Sequence, residues 1–142
     1  MATNKETYLY FRTGGASATE DDDLTGSTVY PASAFRGMCS GTAAVTGAVT
    51  DDDNALSLFF TPKAVVAGGG EDQALSNNVD VVVLATAQYG QKAVMKTMVE
   101  ILNGDKFGTF VTIFDGWADK PANESGGIAG VTGTTVLHNA NA

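Results

Sequence analysis

This sequence is short of cysteine, histidine, basic side chains and long apolar runs, and each shortage closes off a class of protein. A single thiol, Cys39, cannot close an intrachain disulfide, and it has neither a CxxC partner nor a neighbouring histidine for a metal site. The single histidine, His138, lies near the end of the chain, and no Ser-His-Asp or Cys-His constellation can be assembled around it. The expectation is a protein that is not an enzyme and uses no cofactor. Eight Lys and Arg against 16 Asp and Glu leave a net charge of −8. A field of that sign repels phosphate backbones and anionic lipid, so neither nucleic acid nor membrane is expected as a partner. No stretch approaches the roughly 18 consecutive apolar residues of a spanning helix. The first twenty residues lack an apolar signal-peptide core, from which synthesis in a host cytoplasm is expected.

What is present is a 142-residue chain, 44% hydrophobic, with 17 glycines and only 17% charged residues. That length suffices for one core, and the whole of 1–142 reads as a single domain. The charged fraction falls below the usual value of about 25%, so the surface is covered either by Thr, Ser, Asn and Gly or by neighbours in an assembly.

Thr7 to Thr13 (TYLYFRT) is a dense β-branched and aromatic run that ends at Gly14-Gly15, the pattern of a strand and turn. A short second strand around Thr28-Val29-Tyr30 ends at Pro31, which has no N–H for a ladder. Ala32 to Met38 reads as a helical turn or an irregular strand crossing, and Ser40 to Thr50 as a weak strand or arm. ALSLFFT (55–61) and the β-branched VDVVVLAT (79–86) are strands, the latter in a sheet interior. One helix is predicted over Gly90 to Leu102, with Val94, Met98, Ile101 and Leu102 on one stripe and Asn103-Gly104 as its C-terminal signal. FGTFVTIFD (107–115) returns as a strand, and Gly126 to Leu137 is a final strand or an arm. The fold class is α+β: a mainly antiparallel sheet of five to seven strands with one amphipathic helix on a face, compact over about 7–115.

Candidate chemistry is sparse. Asp21–Asp23 and Asp51–Asp53 supply hard oxygen ligands, but neither has the EF-hand spacing, and consecutive side chains on extended backbone diverge. They read as solvated turns, and no metal ligand is assigned. Gly68-Gly69-Gly70 is followed by acid where a phosphate cradle needs a lysine. Aromatic side chains outnumber what one helix and one sheet face hide, and Trp117 stands in a polar DGWADKP segment where a contact anchor is expected. The candidate interface is Trp117, Phe35 and Tyr30 with Gly126, Gly127 and Val131 of the Gly-rich tail.

The opening TYLYFRTGG, the VYPASAFRGM segment (29–38), ALSLFFTP, VDVVVLA, the helix and the closing strand together resemble small virion structural proteins of tailed phages of marine bacteria and cyanobacteria. The likeness covers roughly 7–115. It implies a capsid decoration or cement protein on the outer shell, bridging major capsid subunits and touching copies of itself, with no catalytic residue to carry over. A tail, fibre or self-assembling filament subunit is the first alternative, and a small acidic module that binds calcium or a basic protein is the second.

Overall fold

The computed structural model describes residues 6–15, 27–43, 49–62, 79–104, 109–117 and 126–140, with Trp117 and 138–140 described by backbone alone. The element order is β1 (Tyr8–Gly15), β2 (Ser27–Pro31), a 3-10 turn (Ala32–Ala34), β3 (Phe35–Ser40), β4 (Thr42–Ala43), β5 (Val49–Thr50), β6 (Ala55–Phe60), β7 (Val79–Thr86), α1 (Gln91–Leu102), β8 (Phe110–Trp117) and β9 (Val131–Ala140). This is an α+β fold with one helix and mostly antiparallel strands.

The strands divide into a three-stranded sheet, β2-β1-β8, a four-stranded sheet, β3-β6-β7-β9, and the small β4-β5 ladder. One core lies between the two larger sheets. Alternation decides what enters it: Leu9 and Phe11 from β1, Tyr30 from β2, Leu56, Leu58 and Phe60 from β6, and Val82 and Leu84 from β7 all point inward. Val94, Met98 and Ile101 of α1 join the same core, so the stripe expected from the sequence is the stripe that is buried, with Leu102 packed partly against it. The helix ends where Gly104 takes φ = +80° and its N–H donates to the Ile101 carbonyl at 2.9 Å, the left-handed stop that Asn103-Gly104 predicts.

The chain passes between sheets at a corner. After Pro31 the 3-10 turn carries it from β2 to β3, with the Ala32 N–H donating to Thr7 and the Thr61 N–H donating to Ala34. The 32–38 segment is therefore both a helical turn and a bulged strand, the register slipping between Phe35 and Gly37. β7 sits between β6 and β9, the interior place expected of it.

Two features depart from the local reading. β1 pairs with β8 in parallel, with Tyr8 opposite Phe110 and Tyr10 opposite Thr112, so the three-stranded sheet is mixed. The tail also returns into the fold: β9 runs antiparallel to β7, and the folded unit therefore extends past residue 115. Ser40 to Thr50 contributes only the β4-β5 ladder, with Thr42 opposite Thr50 and Ala43 opposite Val49. The expectations for Asp21–Asp23 and Gly68–Gly70 lie outside the described residues.

Tyr30 ties the two sheets together. Its ring stacks on Phe60 at 4.4 Å between centroids and 14° between planes, and meets Phe11 edge-on at 6.3 Å. Its hydroxyl donates to Asp80 Oδ2 at 2.6 Å, across from β2 to β7. Both residues are fully buried. Burial, and then the neighbouring Asp80 carboxylate, push the phenol far above its ordinary value of 10.0.

Two outcomes follow for Tyr30. Tyr30→Phe keeps the ring stack and removes a donor from a buried carboxylate, so denaturant unfolding should show a loss of about 1–3 kcal/mol with an unchanged m-value. Because the folded phenol holds its proton more tightly than the unfolded one, its contribution is complete below pH of about 10 and is lost as the pH rises further. In an alkaline titration the Tyr30 phenolate signal should therefore appear together with loss of the near-UV circular dichroism.

Candidate interaction surface

The structure does not gather the six residues of the expected interface onto one surface. Tyr30 is a core residue, because β2 alternates with Thr28 and Tyr30 inward and leaves Ser27, Val29 and Pro31 outward. Val131 opens β9 and is buried against the same core. Phe35 is half-buried, its ring edge-on to Phe60 at 5.7 Å and 71°. Those three side chains are engaged inside the monomer. Trp117 is the last residue of β8, opposite Gly15 of β1, and so belongs to a strand end instead of the following loop.

Gly127 is committed to an intramolecular contact. It bridges Phe114, the Ile128 N–H donates to Ile113 at 3.1 Å, and the Asp115 N–H donates to the exposed Gly126 at 3.2 Å, so 126–128 lies along the free edge of β8. Gly127 has φ = +128°, and a Cβ there would stand 2.5 Å from the Ile113 carbonyl oxygen. The close backbone approach is to β8 of the same chain.

The exposed aromatic surface is elsewhere, on the outer face of the β2-β1-β8 sheet. Residues that share a register position share a face, so this side carries three rows: Pro31, Tyr8 and Phe110, then Val29, Tyr10 and Thr112, then Ser27, Arg12 and Asp115. Phe110 is 60% exposed and Tyr8 is 43% exposed. The Tyr10 and Phe110 rings lie 5.5 Å apart, tilted by 32°, and the Ser27 hydroxyl donates to the Tyr10 oxygen at 3.3 Å. In the third row the only two charged side chains of the nine, Arg12 and Asp115, stand side by side and are withdrawn from water. Beside Phe110 the strip continues into a groove lined by Thr97 of α1, Val111, Thr112, Ile128 and Ala129, again without a charge. The sequence held the signal for this face in the alternation of Tyr8 and Tyr10 with Leu9 and Phe11.

The Asp51–Asn54 turn is the second site of interest. Asp52 accepts from the Asn54 N–H at 3.0 Å and from the Thr42 hydroxyl at 2.8 Å, and these bonds, the backbone one first, hold its carboxyl below the ordinary 3.8. Asp53 Oδ2 accepts from Gln88 Nε2 at 2.8 Å, and its carbonyl accepts from the Tyr89 N–H at 2.6 Å. Gln91, buried at the start of α1, donates to the carbonyls of Asp52 and Ala55. The turn thus fastens β4 and the β7-α1 loop to the fold, with Tyr89 at φ = +60° and its side chain out in solvent. The carboxylates of Asp52 and Asp53 are engaged by neighbouring donors of the same chain. Among the described residues no group of three or more His, Cys, Asp or Glu is placed to share a metal ion. Cys39 is half-buried on β3.

No family model, curated protein or solved structure matches the chain.

Asp52 is expected to contribute to stability only as a carboxylate. With the folded value below the unfolded one, that contribution is complete above pH of about 4 and is lost as the pH falls through the folded value. Asp52→Asn should therefore lower the melting temperature at neutral pH, and the gap between variant and wild type should narrow as the pH falls through the lowered folded value. For Gly127→Ala, the positive φ alone should cost about 1–3 kcal/mol and the clash with Ile113 more, read as an earlier urea midpoint.

Proposed function

We propose that this chain is a virion structural protein of the capsid-decoration type, which docks on the outer surface of a phage shell against the major capsid protein. The order of segments it shares with small virion proteins supports this reading, as does a net charge of −8, which disfavours the DNA-facing side of a shell. The observation that carries the choice of a discrete surface unit over a filament subunit is the state of two outer strands. β2 is five residues long and stops at Pro31. β3 is broken by the bulge between Phe35 and Gly37, with Arg36 exposed beside it and Gly37 at φ = +137°. Short length, proline, a bulge and an exposed charge are the devices that stop a sheet edge from accepting a further strand. Strand exchange through these two edges is thereby opposed, and a filament subunit would have to pair through β9, the long outer strand on the other side of the four-stranded sheet.

Sedimentation of the purified chain with phage heads that lack it tests the proposal. Saturable binding at many copies per head is the expected result. A few copies per particle, or none, would return the weight to a tail component or a soluble binding module.

A further inference from the structure

The outer face of the β2-β1-β8 sheet gives the protein a second contact, independent of the one it makes with a shell. We propose that the strip formed by Tyr8, Tyr10, Phe110 and Thr112, with the adjoining groove at Thr97 and Ile128, is the interface on which a second copy of this chain docks.

Charge selects this occupant. Two copies at −8 each repel, and the repulsion is smallest where no carboxylate is brought to the contact. The two outer rows, Pro31-Tyr8-Phe110 and Val29-Tyr10-Thr112, of which Tyr8 and Phe110 are exposed and the rest half-buried, contain no charged side chain. Among the described residues, the charges on the same strands or just before them are engaged or withdrawn: Glu6 accepts from the Ser33 N–H at 3.0 Å, while Arg12 and Asp115 are buried next to each other. An acidic protein that used this face for a basic partner would gain from carboxylates on it, since complementary charge guides such docking. The face instead has the composition that lets like-charged molecules meet. It also suits a two-fold contact, in which the same patch serves both partners: Phe110 and Tyr8 are apolar at the centre, while the Tyr8 hydroxyl and the threonines offer hydrogen bonds around them. The strip rests on two exposed rings, Tyr8 and Phe110, so the association is expected to be weak.

Sedimentation equilibrium of the full chain decides the matter, run from dilute solution up to about 1 mM, a range that reaches even the weakest specific affinities. The expected result is a monomer-dimer equilibrium that tightens as ionic strength rises from about 0.01 to 0.15 M, because the Debye length then falls from about 30 to 8 Å and the mutual repulsion is screened. Phe110→Asp should weaken the dimer by at least about tenfold, as expected for a central aromatic anchor. Phe110→Thr, which places a strand-favouring β-branched residue at this exposed position, should weaken it with little change in the melting temperature of the monomer. A chain that stays monomeric throughout, a dimer that salt dissociates, or a dimer indifferent to both substitutions would each overturn the proposal. Head binding is scored separately, so a dimer that ignores heads would refute the decoration reading and leave this interface standing.

Discussion

The buried Asp80 carboxylate is the constraint around which the two sheets are arranged. It is the second residue of β7, a strand otherwise made of valine, leucine, alanine and threonine, and it is cut off from water. A carboxylate in such a place is tolerable only when donors reach it. One of those donors is the Tyr30 hydroxyl, at 2.6 Å. To bring it there, β2 must face β7 across the core at one particular height. Phe60, the register partner of Asp80 on β6, then lies flat beneath the Tyr30 ring. Hydrogen bond and stack therefore act on the same side chain and fix the relative position of the sheets in two directions. Apolar contacts alone tolerate sliding and repacking far better than a single short hydrogen bond does.

The corner after Pro31 follows from the same requirement. β2 has delivered Tyr30 to the far sheet, and the chain must then supply β3 to that sheet's edge within a few residues, which the 3-10 turn at Ala32–Ala34 achieves. The acidic turn does comparable work at another side of the molecule, where Asp52 and Asp53 hold β4 and the β7-α1 loop through side-chain and carbonyl acceptors. Much of the polar chemistry in this chain thus serves to fasten its own loops.

The parts of the fold that local pattern encodes were readable from the sequence. Val94, Met98 and Ile101 fall on one helical stripe and are buried on it, Gly104 takes the left-handed conformation that ends the helix, and the β-branched run of β7 lies inside a sheet. Pairings between distant segments were not readable in this way. Nothing near Tyr8 announces that its parallel neighbour is Phe110, and nothing in VDVVVLAT announces a tyrosine fifty positions earlier as the partner of its aspartate. The candidate interface was misplaced for a related reason. Tyr30 and Phe35 looked like surplus aromatics because the count assumed one sheet face and one helix, whereas two sheets enclose a core that takes up both rings, Tyr30 wholly and Phe35 in part.

Strand β1 shows what the extra sheet face implies. Its odd positions, Leu9 and Phe11, fill the core, and its even positions, Tyr8 and Tyr10, are almost as apolar but face outward. A strand with one solvated face ordinarily alternates apolar with polar residues, and lysine or threonine at position 8 would serve a free monomer as well. The tyrosines make sense on a surface that spends part of its time covered. Under the proposed docking on a shell, copies held at neighbouring sites would meet at a high effective concentration, so a small uncharged contact that is weak in dilute solution would close there. The net charge of −8 that opposes the approach of free copies would favour closure through this uncharged face over others, and the two proposed contacts would then reinforce one another.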